Sequence, residues 1–369
     1  MTGRDVSAFF ITAASPISDA IASIDRSGRV SIALVVDEAR RLVNTLTDGD
    51  VRRGILSGLA LSDPVSRLLE IKQRTPHPAP VTAPDSTPPL EMLRIMHEQM
   101  VRQLPLVNDD GVPVDVVILS DFLTESVKPI QAVVMAGGQG MRLRAYPFTE
   151  YLPKPMLPVG GRPVMEIIVD QLREVGVKNI HVTTHYQAEK IMEHFGDGAA
   201  FGVEIDYVRE TKPLGTGGAL GLLRAPTETT LIINGDILTQ VDFRSFYTFH
   251  QDHRAEMTVG VRRYELQVPY GVVDCDGPQI TGLREKPQLS FFVNAGIYLV
   301  EPSVFSLIAP DQHLNITDLV ETLVAAGRTV VSYPICEYWL DIGQHDDYQR
   351  AQDDVREGRL HKSGERNEL

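Results

Sequence analysis

An apolar run that stops at a cluster of glycines constrains this chain more than any other feature. Ile130-Gln131-Ala132-Val133-Val134-Met135 is followed at once by Ala136-Gly137-Gly138-Gln139-Gly140-Met141-Arg142-Leu143. A near-continuous apolar hexamer reads as a strand buried on both faces. The glycines allow positive φ and close main-chain approach, and successive free N–H groups form a cradle for an anion. Downstream, residues 163–175 carry apolar side chains at 164, 165, 167, 168, 172 and 175, which is helical spacing. Ile180 to Thr184 and Leu231 to Asn234 again read as strands, the latter ending at Gly235-Asp236. Strands alternating with helices predict an α/β, Rossmann-like domain with a mostly parallel sheet and helices on its faces. A dinucleotide site is disfavoured, because Leu143 stands where the third glycine of G-x-G-x-x-G belongs. Thr183-Thr184-His185 likewise supplies no acid at the end of the second strand. From Ala255 to Val300 short strands predominate, predicting an antiparallel extension that carries the acceptor site.

At 369 residues the chain exceeds what one core usually organises, so two domains are expected. The composition changes near residues 125–130, where a polar segment precedes the apolar strand. Before that point two stretches look like copies of one unit. Ser31 to Glu38 followed by Arg41 to Asp50 corresponds to Arg102 to Gly111 followed by Val114 to Asp121. Each is an apolar strand, an acidic turn, a second strand, and a polar residue with Asp leading into a helix. Helical segments, Ile17 to Ile24 and Pro89 to Met100, precede the copies, and the proline-rich stretch from Thr75 to Pro89 reads as an extended connector. The expected organisation is a module over 1–128 (copies at about 8–68 and 69–126), a second domain over 129–350, and a charged tail over 351–369.

The N-terminal pattern resembles a tandem pair of CBS repeats, a Bateman module. The resemblance implies a ribose contact from a hydroxyl residue three positions before an Asp, which Thr47 and Asp50 match. Ile118 and Asp121 lack the hydroxyl, so at most one intact nucleotide site is expected per pair. Binding of AMP or ATP, and a scaffold that only pairs copies into a homo-oligomer, both remain open.

Twelve residues beyond Arg142, Pro153-Lys154-Pro155-Met156-Leu157 leads into an apolar helix. Further on come Glu210, Pro213-Leu214-Gly215-Thr216-Gly217-Gly218-Ala219, Asn234-Gly235-Asp236, Arg284-Glu285-Lys286-Pro287, Asn294-Ala295-Gly296 and Trp339-Leu340-Asp341-Ile342-Gly343. This ordered series resembles the sugar-phosphate nucleotidyltransferases, over roughly residues 130–345. Two departures stand out: Met141 replaces the usual Thr before the loop arginine, and the Arg-to-Lys interval is about two residues longer than is common. The resemblance implies transfer of a nucleotidyl group from a triphosphate to a sugar 1-phosphate with loss of pyrophosphate. Two anions must be brought together, so positioning and charge neutralisation should dominate. Arg142 would take the β and γ phosphates, Lys154 the α-phosphate or the acceptor phosphate, and Lys286 the acceptor phosphate from the opposite wall. Ala136, Gly137, Gly138, Gly140, Gly215 and Thr216 would bind the nucleotide, and Glu210, Gly217, Glu285 and Asn294 the sugar. Asp236 and Asp341 would share one Mg²⁺. The segment from Pro213 to Ala219 is most similar to enzymes using GTP on mannose-type, heptose or amino-sugar phosphates. A cytidylyl- or uridylyltransferase is the nearest alternative, and an inactive nucleotide-sensing homologue a further one.

A net charge of −14 argues against nucleic acid or an anionic membrane as partner. Cys275 and Cys336 lack the spacing of a zinc site or a disulfide framework. With no leader-like N-terminus and no apolar run approaching a membrane span, a cytoplasmic protein is expected. His181 and His185, four apart at a strand end, do not read as a metal pair, and His194 and His250 read as structural.

Overall fold

A computed structural model describes residues 5–122, 130–138 and 152–360. The chain divides into two compact units, Met1–Val127 and Lys128–Leu369.

The first unit builds one motif twice. In the first copy, β1 (Phe10–Ile11), α1 (Ile17–Arg26), β2 (Ile32–Val36) and β3 (Leu42–Thr47) give a sheet of order β1-β2-β3. Two helices follow, α2 (Asp48–Leu56) and α3 (Val65–Lys72). The second copy repeats the pattern with β4 (Ala83–Pro84), α4 (Pro89–Glu98), β5 (Gln103–Val107) and β6 (Pro113–Ile118) in order β4-β5-β6. In each sheet the first pair is parallel and the second antiparallel. Each antiparallel pair also has a register shift at the same place, Val35/Val36 and Leu106/Val107. The expected connector is therefore not wholly extended linker, because Ala83 and Pro84 pair with Leu106 and Val107 and start the second sheet. Two residues of strand are too short for a periodic signal.

The second unit comprises β7 (Ile130–Met135), β8 (Pro158–Val159), β9 (Arg162–Pro163), α5 (Val164–Glu174), β10 (Asn179–Thr184), α6 (Ala188–Phe195), β11 (Glu204–Arg209), α7 (Gly215–Gly218), β12 (Thr229–Asn234) and β13 (Ile237–Thr239). It continues with α8 (Phe243–Asp252), β14 (Met257–Gln267), β15 (Val272–Asp276), β16 (Gln279–Arg284), β17 (Gln288–Val300), α9 (Pro302–Phe305), α10 (Ile316–Ala325), β18 (Val330–Pro334), β19 (Trp339–Asp341) and α11 (His345–Arg356). Its main sheet has the order β11-β10-β7-β12-β17-β14-β18, and only β17 runs against the rest. Alternate residues feed two cores. Ala132 and Val134 of β7, with Leu231 and Ile233 of β12, face the side of α5 and α8, whereas Val133 and Ile232 face the side of α10.

The chain moves outward from β7 in both directions, to β10 on one side and β12 on the other. Such a switch point opens a crevice beyond the carboxyl ends of the strands. One expectation needs correction. The antiparallel extension consists mainly of two long strands, β14 and β17, paired out to Gln267 and Gln288. Its outer part exposes Tyr264, Leu266, Phe291 and Phe292, so the inward/outward alternation that reveals a half-buried strand is missing there. The first part of the charged tail lies in α11, which packs on the unit, with Ala351, Asp354 and Leu360 buried.

Candidate active site

Parallel-sheet geometry delivers the ends of β7, β10, β11 and β12 to one crevice. After β7, Ala136 is buried and donates its N–H to the Thr183 carbonyl at 3.0 Å. A Cβ on Gly137 would lie 2.5 Å from Glu210 Oε1, whereas one on Gly138 would meet nothing within 4 Å among the described residues. Gly137 is thus glycine because an acid lies against the loop. Glu210, only 8% exposed, continues from β11. Its Oε2 accepts the Leu214 N–H at 3.0 Å, and its carbonyl oxygen lies 3.0 Å from His185 Nδ1. Burial pushes the Glu210 carboxyl up, outweighing the Leu214 hydrogen bond and the His185 ring. Gly140 and Arg142 lie outside the described residues.

At the end of β12, Gly235 donates to the Met135 carbonyl at 2.9 Å. A Cβ there would sit 3.0 Å from both that oxygen and Pro155 Cγ, so the glycine lets the Pro-Lys-Pro turn pack onto the strand ends. The turn, Lys154–Met156, is a single 3-10 turn closed by Met156 N–H to the Pro153 carbonyl at 2.8 Å. It aims Lys154 Nζ at Asp236 Oδ2, 3.2 Å away. The two side chains are 18% and 22% exposed, within reach of a substrate. A pair this accessible contributes little to stability, so its placement between two prolines is not explained by folding energetics. β13 and β19 pair Ile237 with Asp341, and Ile342 N–H donates to the Asp236 carbonyl at 3.0 Å. Asp236 and Asp341 therefore flank one short ladder, although 105 positions apart in the numbering. Trp339 Nε1 fixes that ladder by donating to the Ala295 carbonyl at 2.9 Å.

The remaining expected residues divide into three groups. Asn294 sits at a register shift in β17 and accepts from Gly296 N–H at 3.0 Å and Tyr298 OH at 2.9 Å. Burial pushes the Tyr298 hydroxyl up to about 12, so it stays a donor. The oxygen of Asn294 is thereby spent, and its Nδ2 donors have no acceptor among the described residues. Gly215, Thr216 and Gly217 lie against residues 314–316. Cβ atoms at 215 and 217 would meet the main chain of Leu314 and Asn315 at 2.6 and 3.0 Å, and Thr216 Oγ1 accepts the Ile316 N–H at 3.1 Å. Glu285 and Lys286 lie in the exposed turn after β16, Lys286 with φ of 44°. Neither is joined by a hydrogen bond or ion pair to Lys154 or Asp236 among the described residues.

A family model described as "Nucleotidyl transferase" matches residues 131–358, the whole sheet that builds this crevice. The chain belongs to the nucleotidyl transferase family. A second model, "CBS domain", matches residues 70–128, the second copy in the first unit. The mannose-1-phosphate guanylyltransferase of Mycobacterium tuberculosis is 32% identical over 238 residues, covering 62% of this chain and 65% of that protein. The UTP–glucose-1-phosphate uridylyltransferase of Synechocystis is 33% identical over 60% of this chain and 62% of its own length. The chain thus spans a little under two thirds of these curated relatives. It covers 99% of the D-glycero-alpha-D-manno-heptose 1-phosphate guanylyltransferase of Aneurinibacillus thermoaerophilus, at 29% identity. Among solved structures, a putative glucose-1-phosphate thymidylyltransferase from Bacillus anthracis superposes with a TM-score of 0.51 at 27% identity, over 63% of this chain and 98% of that one.

This nucleotidyl transferase carries a support that sequence reading missed. Tyr348 OH and Gln352 Nε2, one turn apart on α11, both donate to the Pro158 carbonyl, at 2.7 and 2.6 Å. Gln352 also donates to Tyr348 OH at 2.9 Å. They clamp the β8–β9 hairpin that leaves the Lys154 turn. The i, i+4 spacing was visible, but a partner 190 positions away was not. Removing both donors, Tyr348→Phe with Gln352→Ala, should lower stability by about 2 kcal/mol in urea unfolding, since about 1 kcal/mol of net support is lost per hydrogen bond to Pro158.

In the first unit, Thr47 and Asp50 form a capping box at the start of α2, Asp50 Oδ2 accepting from Thr47 N–H and Oγ1 at 3.0 Å each. Arg53 reaches Oδ1 at 2.6 Å, and the buried Lys72 ammonium reaches Oδ2 at 3.1 Å. Burial pushes the Asp50 carboxyl up, but Lys72, the Thr47 N–H and Arg53 outweigh it and hold it below the ordinary range. Lys72 was not anticipated, because an ion pair across 22 positions leaves no periodic trace. Asp50→Ala would leave that ammonium buried and unpaired, so urea unfolding should show a loss of about 3 kcal/mol for this unit.

Proposed function

We propose that the chain transfers a nucleotidyl group from GTP to a sugar 1-phosphate, giving a GDP-sugar and pyrophosphate. The observation that carries this reading is the Lys154–Asp236 pair at the sheet's switch point, with Asp341 on the adjoining ladder. An oxygen of the sugar 1-phosphate attacks the α-phosphorus. The new P–O bond forms opposite the bond to the β-phosphate, whose electrons leave with pyrophosphate. The attacking phosphate monoester has a second pKa of about 6, so no general base is needed. Lys154, its main chain held by flanking prolines, places positive charge on the α-phosphate or the acceptor phosphate. Arg142 would steady the β and γ phosphates, and the Nδ2 donors of Asn294, which have no acceptor among the described residues, suit a sugar hydroxyl.

Asp236 and Asp341 offer two hard oxygen donors, and among the described residues no third His, Cys, Asp or Glu completes a closed metal cage with them, which suits Mg²⁺ bound by one or two carboxylates and completed by water and phosphate oxygens. Held there, the cation would neutralise charge between the two phosphates.

The position of Glu210 supports GTP. It was expected to bind the sugar, but lies against Gly137 of the nucleotide loop. A carboxylate offers acceptors only, and guanine presents two adjacent donors, N1–H and N2–H₂. The two guanylyltransferase relatives agree with this choice. We take the cytoplasm as the site of action, in keeping with two free cysteines, one of them exposed. Among the described residues no helix is long and apolar enough to cross a membrane.

For the first unit we favour a scaffold that pairs copies of the chain over a sensor that recognises a ribose through Asp50, because both Asp50 oxygens are already engaged within the unit. Pyrophosphate release from each of four triphosphates against a panel of sugar 1-phosphates tests the reading. Turnover should be greatest with GTP, and no turnover with any pair in the presence of Mg²⁺ would sink it.

A further inference from the structure

We propose that the groove between α2 and α3 in the first unit binds a multiply charged phosphate chain, supplied either as pyrophosphate or polyphosphate or as the phosphate tail of a nucleotide. The groove is a cavity of about 390 Å³ whose lining includes Arg53, Ser57, Arg67, Glu70, Arg74 and Thr75. Three guanidiniums face one carboxylate. Two of them are tethered at its wall, Arg53 Nη2 by Asp50 at 2.6 Å and Arg67 Nη1 by Asp63 at 3.0 Å. Each fork has five N–H donors, so most remain for a ligand. Arg53 Nε is buried with no acceptor among the described residues, a costly state for a donor beside a cavity. Arg74 has no ion-pair partner among the described residues.

The surroundings say which anions qualify. The chain carries a net charge of −14, so nothing draws anions to it in general and any affinity must be local. The groove also lies by the last turns of α2 and α3, where helix dipoles and Glu70 oppose negative charge. A single carboxylate cannot offset that. A phosphate chain engaging two or three guanidiniums through paired N–H···O contacts can. Recognition rests on the phosphates alone, so the base is immaterial, and the groove is independent of the transfer chemistry assigned to the second unit.

Arginine footprinting of the full chain tests this, with phenylglyoxal modification followed residue by residue in peptides by mass spectrometry. Residue resolution separates the groove from anything bound at the second unit. Pyrophosphate, tripolyphosphate, ATP and GTP should each slow modification of Arg67 and Arg74 by at least about fivefold relative to the exposed Arg26, whereas acetate should not. Glu70→Gln should lower the half-protecting concentration of tripolyphosphate about threefold, by removing the opposing charge. Both arginines Arg67 and Arg74 are exposed, so replacing them with Ala should leave the fold intact and raise the half-protecting concentration at Arg53 about tenfold or more. The proposal is overturned by protection no greater than at Arg26, by protection with one nucleotide but not with pyrophosphate or tripolyphosphate, or by undiminished protection of Arg53 in the double variant.

Discussion

Lys154→Ala is expected to lower kcat by about a hundredfold or more while the thermal unfolding midpoint stays close to that of the parent, as for the loss of a group that stabilises charge in a transition state. The side chain is partly exposed and its one ion pair among the described residues is to Asp236, so little folding energy rides on it. Asp236→Asn keeps the shape and removes the charge, and should cost a similar factor. The two changes act on the same developing charge between the phosphates, so the double variant should lose less than the product of the single losses. Lys154→Arg should rescue poorly: the Pro-Lys-Pro turn places a compact ammonium, and a planar fork does not fit the same point. Steady-state pyrophosphate release with all four variants is the measurement. Near-normal turnover in both single variants would remove the pair from the chemistry.

How much of this was legible in the sequence follows from where each group sits. β7 and β12 are readable because strands buried on both faces are written as near-continuous apolar runs, and Gly137 and Asp236 follow them within two residues, whereas β10 offers only Ile180 and Val182 in alternation with polar residues. Asp341 was found by resemblance, and its approach to Asp236 depends on a three-residue ladder that no periodicity announces. A glycine run looks the same in sequence whether a phosphate or the chain's own main chain fills the Cβ space, and at Gly215 and Gly217 the main chain of Leu314 and Asn315 fills it. The groups missed entirely, Lys72, Tyr348 and Gln352, all act through partners far away in the chain. Such pairings are fixed by packing, and local sequence carries no sign of them.

Glu210→Gln should change which triphosphate is used. The parent carboxylate can accept from both N1–H and N2–H₂ of guanine, whereas the amide keeps one acceptor and turns a donor toward the other position. Losing one good contact of a paired set costs about 1–3 kcal/mol of discrimination, so kcat/KM for GTP should fall roughly tenfold to a hundredfold. Uracil presents N3–H beside a carbonyl, a donor and an acceptor that match the amide, so use of UTP should hold or rise. A pH profile adds a second readout. Burial raises the Glu210 pKa, so the carboxyl protonates, and loses its acceptor capacity, at a higher pH than an ordinary glutamate. Part of the acid fall in kcat/KM for GTP should therefore be lost in the Gln variant, leaving the limb set by the acceptor phosphate, whose second pKa is about 6. If the GTP-to-UTP ratio is unchanged and KM for the sugar 1-phosphate rises instead, the carboxylate faces the sugar, and the case for guanine loses its structural support.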